Sequence, residues 1–450
     1  MSMNMRLIKL STLIIIAIIT SMGFVSVTRW SRHASAADGS SPESAAVTFN
    51  KDIAPILFKN CASCHHPGEV APFSLLTYQD AAKRAKQLAA VTKSRFMPPW
   101  KPEPGYGEFH DARRLNEAEI ALIQKWAETG ALEGNAKDLP PAPKFTSGWQ
   151  LGTPDLILKM QEPFTVRADG RDVYQCFVVP IDLAHDQYVA AVEFKPGNPK
   201  IVHHSIFYLD STGTARRKDA ADPDPGYHSF GGPGFLPTGE LGGWAPGAFP
   251  RLLPENVAKV IRKGSDLVME VHYHPSGKTE VDQSTLGVYF SKNPSPNIMA
   301  TIPLVQPRLN IQPGEKRYKA AASFTTPIDV QAVGIIPHMH LLGREMKVTA
   351  IFPDGTSQVM IWIKDWDFNW QDQYQYKQPV KLPKGTRLEM EAYYDNSTDN
   401  PRNPSNPPKR VTWGEQTTDE MSLAYLQVIV ENPSERPQLN AAIRQSILGR

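Results

Sequence analysis

Three cysteines in 450 residues cannot build a disulfide framework, and two of them, Cys61 and Cys64, share one short motif. An excess of charge is missing as well, with 48 Lys and Arg against 46 Asp and Glu, so nothing supports the basic face of a nucleic-acid binder. Long apolar runs are absent but for one, Leu10 to Val27. Arg6 and Lys9 precede it and Ala34-Ser35-Ala36-Ala37 follows it, the layout of a secretory signal over residues 1–37. The run is long for a signal, and Arg29 and Arg32 lie beyond it, so an uncleaved membrane anchor is the alternative. The expectation is an exported chain, periplasmic or in the cell envelope, in contact with membrane only if this segment stays. Removing it takes four basic residues and no acidic one, which turns the formal charge of +2 slightly negative.

What is abundant is Pro (40) and Gly (30), spread widely, which favours turns and a mostly β body. After a Ser/Ala-rich spacer over 38–48, residues 49–137 read as helical. Asp52-Ile53-Ala54-Pro55 opens a helix that runs into Cys61, Tyr78 to Thr92 has helical period, and Asn116 with Glu119 resembles a capping pair before Ile120, Ile123, Trp126 and Ala127. Pro140, Pro141 and Pro143 stiffen a linker over 138–149. Beyond it the period becomes 2. Strands are expected at Tyr174 to Val179, Tyr188 to Phe194, Ile201 to Leu209, Leu267 to Tyr273 and Thr285 to Phe290, and again from Thr301 to Glu431. Gly226 to Pro250 reads as one long loop.

Cys61-Ala62-Ser63-Cys64-His65 is a CxxCH haem-attachment motif: the two thiols add to the vinyl groups and His65 ligates the iron. No second cysteine pair is present to make a zinc site. Met97, in Arg95-Phe96-Met97-Pro98-Pro99-Trp100, stands where a cytochrome c places its ligand methionine, with His66 and His110 as alternatives and a plain core role as the bland reading. Three short helices around such a motif fit a small all-α class I cytochrome c-like domain.

His338-Met339-His340 has the spacing that puts two imidazoles on one face of a strand, and His272-Tyr273-His274 repeats it. Two imidazoles joined by a thioether, such as that of Met421, suit copper, especially Cu(I). The adjacent His203 and His204 would point to opposite faces of an ideal strand, so both reach one ion only where the strand ends or bulges. The lone His33, His185 and His228 read as ordinary core or surface residues.

The region from about 150 to 440 resembles the copper type II monooxygenases, the family of peptidylglycine α-hydroxylating and dopamine β-monooxygenases. Seven stretches carry the resemblance in order: Tyr174-Gln175-Cys176, Val202-His203-His204, Trp244-Ala245-Pro246-Gly247, Val271-His272-Tyr273, Ile311-Gln312-Pro313-Gly314-Glu315-Lys316, His338-Met339-His340-Leu341-Leu342-Gly343-Arg344 and Asp419-Glu420-Met421. The resemblance implies two all-β jelly-roll or sandwich domains, residues 150–300 and 301–438, followed by a tail over 439–450. It implies an electron-transfer copper on His203, His204 and His272, and an oxygen-activating copper on His338, His340 and Met421 across a solvent-filled cleft. Tyr425 keeps a family position in the catalytic pocket, and His274 falls outside the ligand set.

Three departures matter. Cys176 matches a disulfide-bonded family cysteine but has no partner here, which leaves it a buried free thiol. Ile336 replaces an Arg that holds a peptide carboxylate in one branch, and Leu423 replaces an Asn, so the pocket reads as more apolar. The implied function is hydroxylation of a C–H bond of a small organic substrate with O2, fed by ascorbate or another external donor, with electrons entering through haem c and passing to the two coppers. A copper-binding c-type cytochrome without oxygenase activity is the alternative, and a cytochrome fused to β interaction modules is the structural one.

Overall fold

The computed structural model describes residues 46–450 apart from Val70, Thr146, Ser147, Ser295 and the last two; the signal-peptide reading lies outside the described residues. The chain is mostly β sheet with few helices, in an arrangement consistent with β-sandwich domains. Among the described residues no helix is long and apolar enough to cross a membrane.

The first elements are helical. A π-helical turn, Phe49–Ile53, runs into the helix Ala54–Asn60 with Pro55 in its first turn, where a missing N–H costs nothing. The single helix expected over Tyr78 to Thr92 is two, Tyr78–Ala82 and Ala85–Lys93. Arg84 leaves helical geometry between them, and its guanidinium turns back to the Asp80 carbonyl and over the Phe73 ring at 4.2 Å. Glu117–Glu128 starts on a complete capping box of Asn116 and Glu119. Its Ile120, Ile123 and Trp126 close a core with Phe49, Ile53 and Leu57.

Two five-stranded sheets follow. One orders Leu156–Lys159, Thr285–Phe290, Gln187–Lys195, Val257–Ile261 and Asn297–Ile298; the other orders Tyr227–His228, Val173–Pro180, Asp266–Tyr273, Val202–Asp210 and Gly239–Trp244. Their shared core includes Phe177, Phe194, Phe207, Met269 and Tyr273. The stretch expected as a long loop from Gly226 to Pro250 therefore holds two strands. Gly239–Trp244 is an edge strand poor in side chains, and a Cβ on Gly243 would stand 2.9 Å from the Ser205 carbonyl oxygen. Glycine permits that close approach and removes the usual β signal from the sequence.

Two four-stranded sheets make the last β unit: Ala300–Val305, Ser422–Val430, Val330–Met339 and Tyr374–Leu382 in one, Tyr318–Thr325, Arg387–Tyr394, Gly343–Ile351 and Ser357–Ile363 in the other. Trp100 and Phe109 belong to this unit's core. Pro102 and Phe109 form isolated bridges with Ile363 and Tyr376, and Trp100 meets Tyr374 edge-on at 5.4 Å. The segment after Met97 is thus woven into the last sandwich. The expected tail is the body of a helix, Arg436–Leu448, whose Leu439 is buried in the same core.

Candidate metal centres

The first histidine set forms on neighbouring strands. Tyr273 pairs with Val202 and His272 pairs with His204, so His203 is one extra residue in its strand, a β-bulge. The bulge lets two consecutive residues oppose one and turns His203 toward the face of His204. Nδ1 of His203 and Nδ1 of His272 each lie 3.2 Å from Nδ1 of His204, and the ligand atoms of all three fall within 4.8 Å of one another. Nitrogens each about 2.0 Å from one ion stand about 3 Å apart, so the set fits a first-row metal.

Burial keeps these imidazoles neutral. It pulls His203 down to about 4, with the neighbouring His272 adding to the effect, and it lowers His204 and His272 as well. Neutral rings keep the lone pairs that a metal needs. Asp172 Oδ2 lies 3.2 Å from His272 Nε2, outside hydrogen-bond geometry, while Oδ1 is 2.8 Å from Nδ1 of His274. Thr417 Oγ1 donates to the same carboxylate at 2.7 Å. The Tyr174 ring stacks on His272 at 4.2 Å and its hydroxyl donates to the Glu415 carbonyl at 2.5 Å. Both contacts tie the first set to the loop that leads into Met421.

The second set is built on the edge between two strands. His338 pairs with Leu423 and Met339 with Ser422, so the register carries His340 opposite Met421. Directly opposite residues share a face. Ile336, His338 and His340 on one strand therefore lie beside Tyr425, Leu423 and Met421 on the other. The His338 and His340 rings are 5.1 Å apart at 89°. Nδ1 of His338 contacts Gln371 Oε1, and Nδ1 of His340 lies 3.1 Å from the Asp419 carbonyl. With each Nδ1–H donated to an oxygen, the Nε2 lone pairs are left free, the tautomer a metal ligand requires. Burial pulls His338 down to about 4 and His340 to about 3.

Glu420 holds this corner together. Its carboxylate accepts the N–H of His340 (2.9 Å), Leu342 (2.6 Å) and Met421 (3.3 Å) from a fully buried position. Burial nonetheless pushes the carboxyl up to about 8. Trp366 Nε1 donates to the His340 carbonyl and Tyr394 to that of Met421. Phe368 packs against both sets, stacked on His203 at 5.2 Å and edge-on to His340 at 5.5 Å.

Residues 295–439 match the family model of the copper type II ascorbate-dependent monooxygenase C-terminal domain. This stretch contains His338, His340, Met421 and Tyr425. The chain is also similar to a DBH-like monooxygenase protein 1 from Gallus gallus, 24% identical over 286 residues that are 57% of this chain and 44% of that protein. The chain thus spans less than half the length of this curated relative. Among solved structures, the capsid protein P2 of Bacteriophage PM2 (9% identity, 62% of this chain and 98% of that one, TM-score 0.27) and PNGF-II (9%, 62% and 66%, TM-score 0.26) overlap it too loosely to carry any argument. Both sequence matches are to copper type II or DBH-like monooxygenases, and the matched family's name implies copper and ascorbate.

The CxxCH residues lie apart from both histidine sets. His65 Nδ1 donates to the Phe73 carbonyl at 3.0 Å, which leaves its Nε2 free to ligate. Burial, and then Cys64, pushes the Cys61 thiol up to about 12, and Cys64 is raised too, so both are neutral thiols. Met97 lines a small cleft with Thr92, Trp100 and Leu115, and none of Cys61, Cys64 and His65 lines that cleft. His66 stacks on Phe145 at 3.7 Å, and His110 is exposed on the segment docked to the last sandwich. Cys176 is a free, fully buried thiol.

Asp172, Gln371 and Phe368 are absent from the sequence reading. Only Asp172 left a trace, two residues before Tyr174 and so on its strand face.

Proposed function

We propose that the protein is a copper monooxygenase that hydroxylates a C–H bond of a small organic substrate. One oxygen atom of O2 enters the substrate and the other leaves as water, which takes two electrons and two protons from an external donor such as ascorbate. The reading rests above all on the ring nitrogens each set leaves for an ion, Nδ1 converging in one and Nε2 left free in the other, within a chain whose last third matches the family. Copper, when bound, supplies the one-electron chemistry and the activation of O2.

The chain's own residues do the rest. His203, His204 and His272 would hold one ion in a site of three imidazoles that changes oxidation state with little rearrangement. His338, His340 and Met421 would hold the other, and the soft thioether favours Cu(I). Gln371 and the Asp419 carbonyl orient the rings of the second set, Asp172 lies against His272 in the first, and Glu420 fixes the backbone that carries His340 and Met421. Phe368 excludes water where the two sets adjoin. Ile336, Leu423 and Tyr425 face the second site and shape an apolar approach for the substrate.

In the same reading Cys61 and Cys64 would attach haem c and His65 would ligate its iron through Nε2; Met97, the second ligand expected from the sequence, lines a cleft that none of these three residues shares. The chain would be exported, because haem attachment to CxxCH takes place in an oxidising compartment. Haem is tested separately, by an alkaline pyridine spectrum of the denatured protein in which covalent haem is lost from Cys61→Ala.

The test of the oxygenase is 18O2. Copper-loaded protein with ascorbate and a panel of small organic substrates should give one labelled oxygen per product alcohol, and His338→Ala should give none. Copper that cycles with ascorbate and cytochrome while no substrate on a broad panel consumes O2 would favour an electron-transfer protein instead.

A further inference from the structure

A cavity of about 660 Å³ opens between the first sandwich, the loop after Trp244 and the strand that begins at Tyr374. It contains none of the histidines of either metal set. Its size is that of sites for small organic ligands. Val189, Phe207, Leu241, Trp244, Met299 and Val333 give it apolar walls.

One wall carries a charge that has no counterpart. Lys259 is 8% exposed, on the inner side of the strand Val257–Ile261, and it makes no hydrogen bond or ion pair among the described residues. A Cβ built on Gly242 would stand 3.4 Å from its Nζ, so the glycine leaves the ammonium room at the cavity wall. The acidic group that acts on Lys259 is Glu240, which is exposed and accepts from Thr301 Oγ1 at 2.7 Å. Burial holds the lysine below its ordinary pKa. A buried ammonium without a partner is costly, and a ligand anion in the cavity removes that cost.

The other buried charges of the cavity meet neighbours, and Lys200 in its lining is exposed to solvent. Arg251 Nε lies 2.9 Å from Asp111 and its Nη1 donates to the Gln373 carbonyl at 3.0 Å, Lys195 sits over the Trp149 ring at 4.0 Å, Glu193 accepts from the Gln150 N–H and the Tyr289 hydroxyl, and Asp372 accepts from Arg113. The buried unpaired ammonium of Lys259 against apolar walls calls for a negative charge on an apolar body.

We propose that this cavity binds an apolar organic monocarboxylate, with its carboxylate on Lys259 Nζ and its hydrocarbon body against Phe207, Leu241 and Trp244. The site stands apart from both metal sets, and its occupancy does not depend on the oxygenase reading.

The test uses the full-length, metal-free protein at pH 7 with decanoate and decan-1-ol, below their aggregation limits, in isothermal titration. Decanoate should bind about tenfold or more tightly than decan-1-ol, since a hydrogen bond to a charged group is at stake. Lys259→Met should weaken decanoate by about 10- to 100-fold and leave decan-1-ol unchanged, which also reports that the cavity is intact. Equal affinities in the wild type, no binding of either probe, or an unchanged decanoate affinity in the variant would overturn the proposal. Should the variant not fold, the wild-type comparison of the two probes decides alone. An inactive oxygenase that still discriminates decanoate from decan-1-ol leaves the site standing, whereas an active one that does not discriminate removes it.

Discussion

His272 and His204 bring their Nδ1 atoms to 3.2 Å across 68 positions of sequence, on two strands whose pairing is broken one residue away by the bulge at His203. The bulge is the device that gives three imidazoles one focus. His274, just past the end of the same strand, points its Nδ1 to Asp172 and stays exposed. His203→Ala is therefore expected to lose about one copper per chain, and His274→Ala to keep both. Metal analysis of the two variants after identical loading checks this, and equal losses would contradict the assignment.

Asp172 holds His274 and Thr417 by hydrogen bonds and sets the same carboxylate 3.2 Å from His272 Nε2. Outer partners of metal-bound histidines typically contribute 10- to 100-fold in affinity. Asp172→Asn should weaken copper at the three-imidazole site by about that factor and leave the His338, His340 and Met421 site unchanged. Competition with a chelator of known affinity, read by the copper spectrum, separates the two sites.

In the metal-free protein, burial and then Glu415 push the Glu270 carboxyl up to about 8, and burial does the same to Glu420. Between an unfolded value of 4.5 and about 8, the folded chain keeps protons that the unfolded chain releases, so this stability is lost as pH rises. Five imidazoles act in the opposite sense and outnumber the two carboxyls: His203 and His338 are pulled down to about 4, His340 to about 3, and His204 and His272 are lowered too, so below about 6.5 the unfolded chain takes up protons that the folded chain refuses. Urea unfolding of the metal-free protein should therefore show stability falling on acidification below about pH 6.5 and falling again toward pH 8. Glu270→Gln should flatten the alkaline decline; a wild-type stability that climbs steadily to pH 8 would contradict this account.

Trp100 and Phe109 lie outside the β units in sequence and inside the last sandwich in space. Truncating a buried Trp costs about 3–5 kcal/mol. Trp100→Ala should lower the unfolding free energy by about that much and expose the segment after Met97 to limited proteolysis. Loss of proteolytic protection without a change in sandwich stability would mean that the segment merely covers the surface.

Part of the candidate site was legible because strand period is local: alternation puts His338 and His340 on one face, while the choice of Met421, next to the strand Ser422–Val430, came from the resemblance to the copper type II monooxygenases. The joint use of His203 and His204 demanded a bulge, and the strand pairing contains one. The strand Gly239–Trp244 was hidden because its glycines carry no β signal, and the break at Arg84 because the residues around it are good helix formers. Asp172, Gln371 and Phe368 were not legible, since each acts through a fold-dependent meeting with a residue far away in sequence. The docking of Trp100 and Phe109 lay in a stretch with no period at all.

The central claim is that two distinct histidine sets each hold one copper, and the copper content of three proteins tests it most directly: wild type, His204→Ala and Met421→Ala, loaded under the same reducing conditions. The account predicts about two ions in the wild type and about one in each variant, the loss falling at a different site in each. Failure of the wild type to retain copper, or loss of both ions from either variant while the fold is intact by circular dichroism, would contradict it.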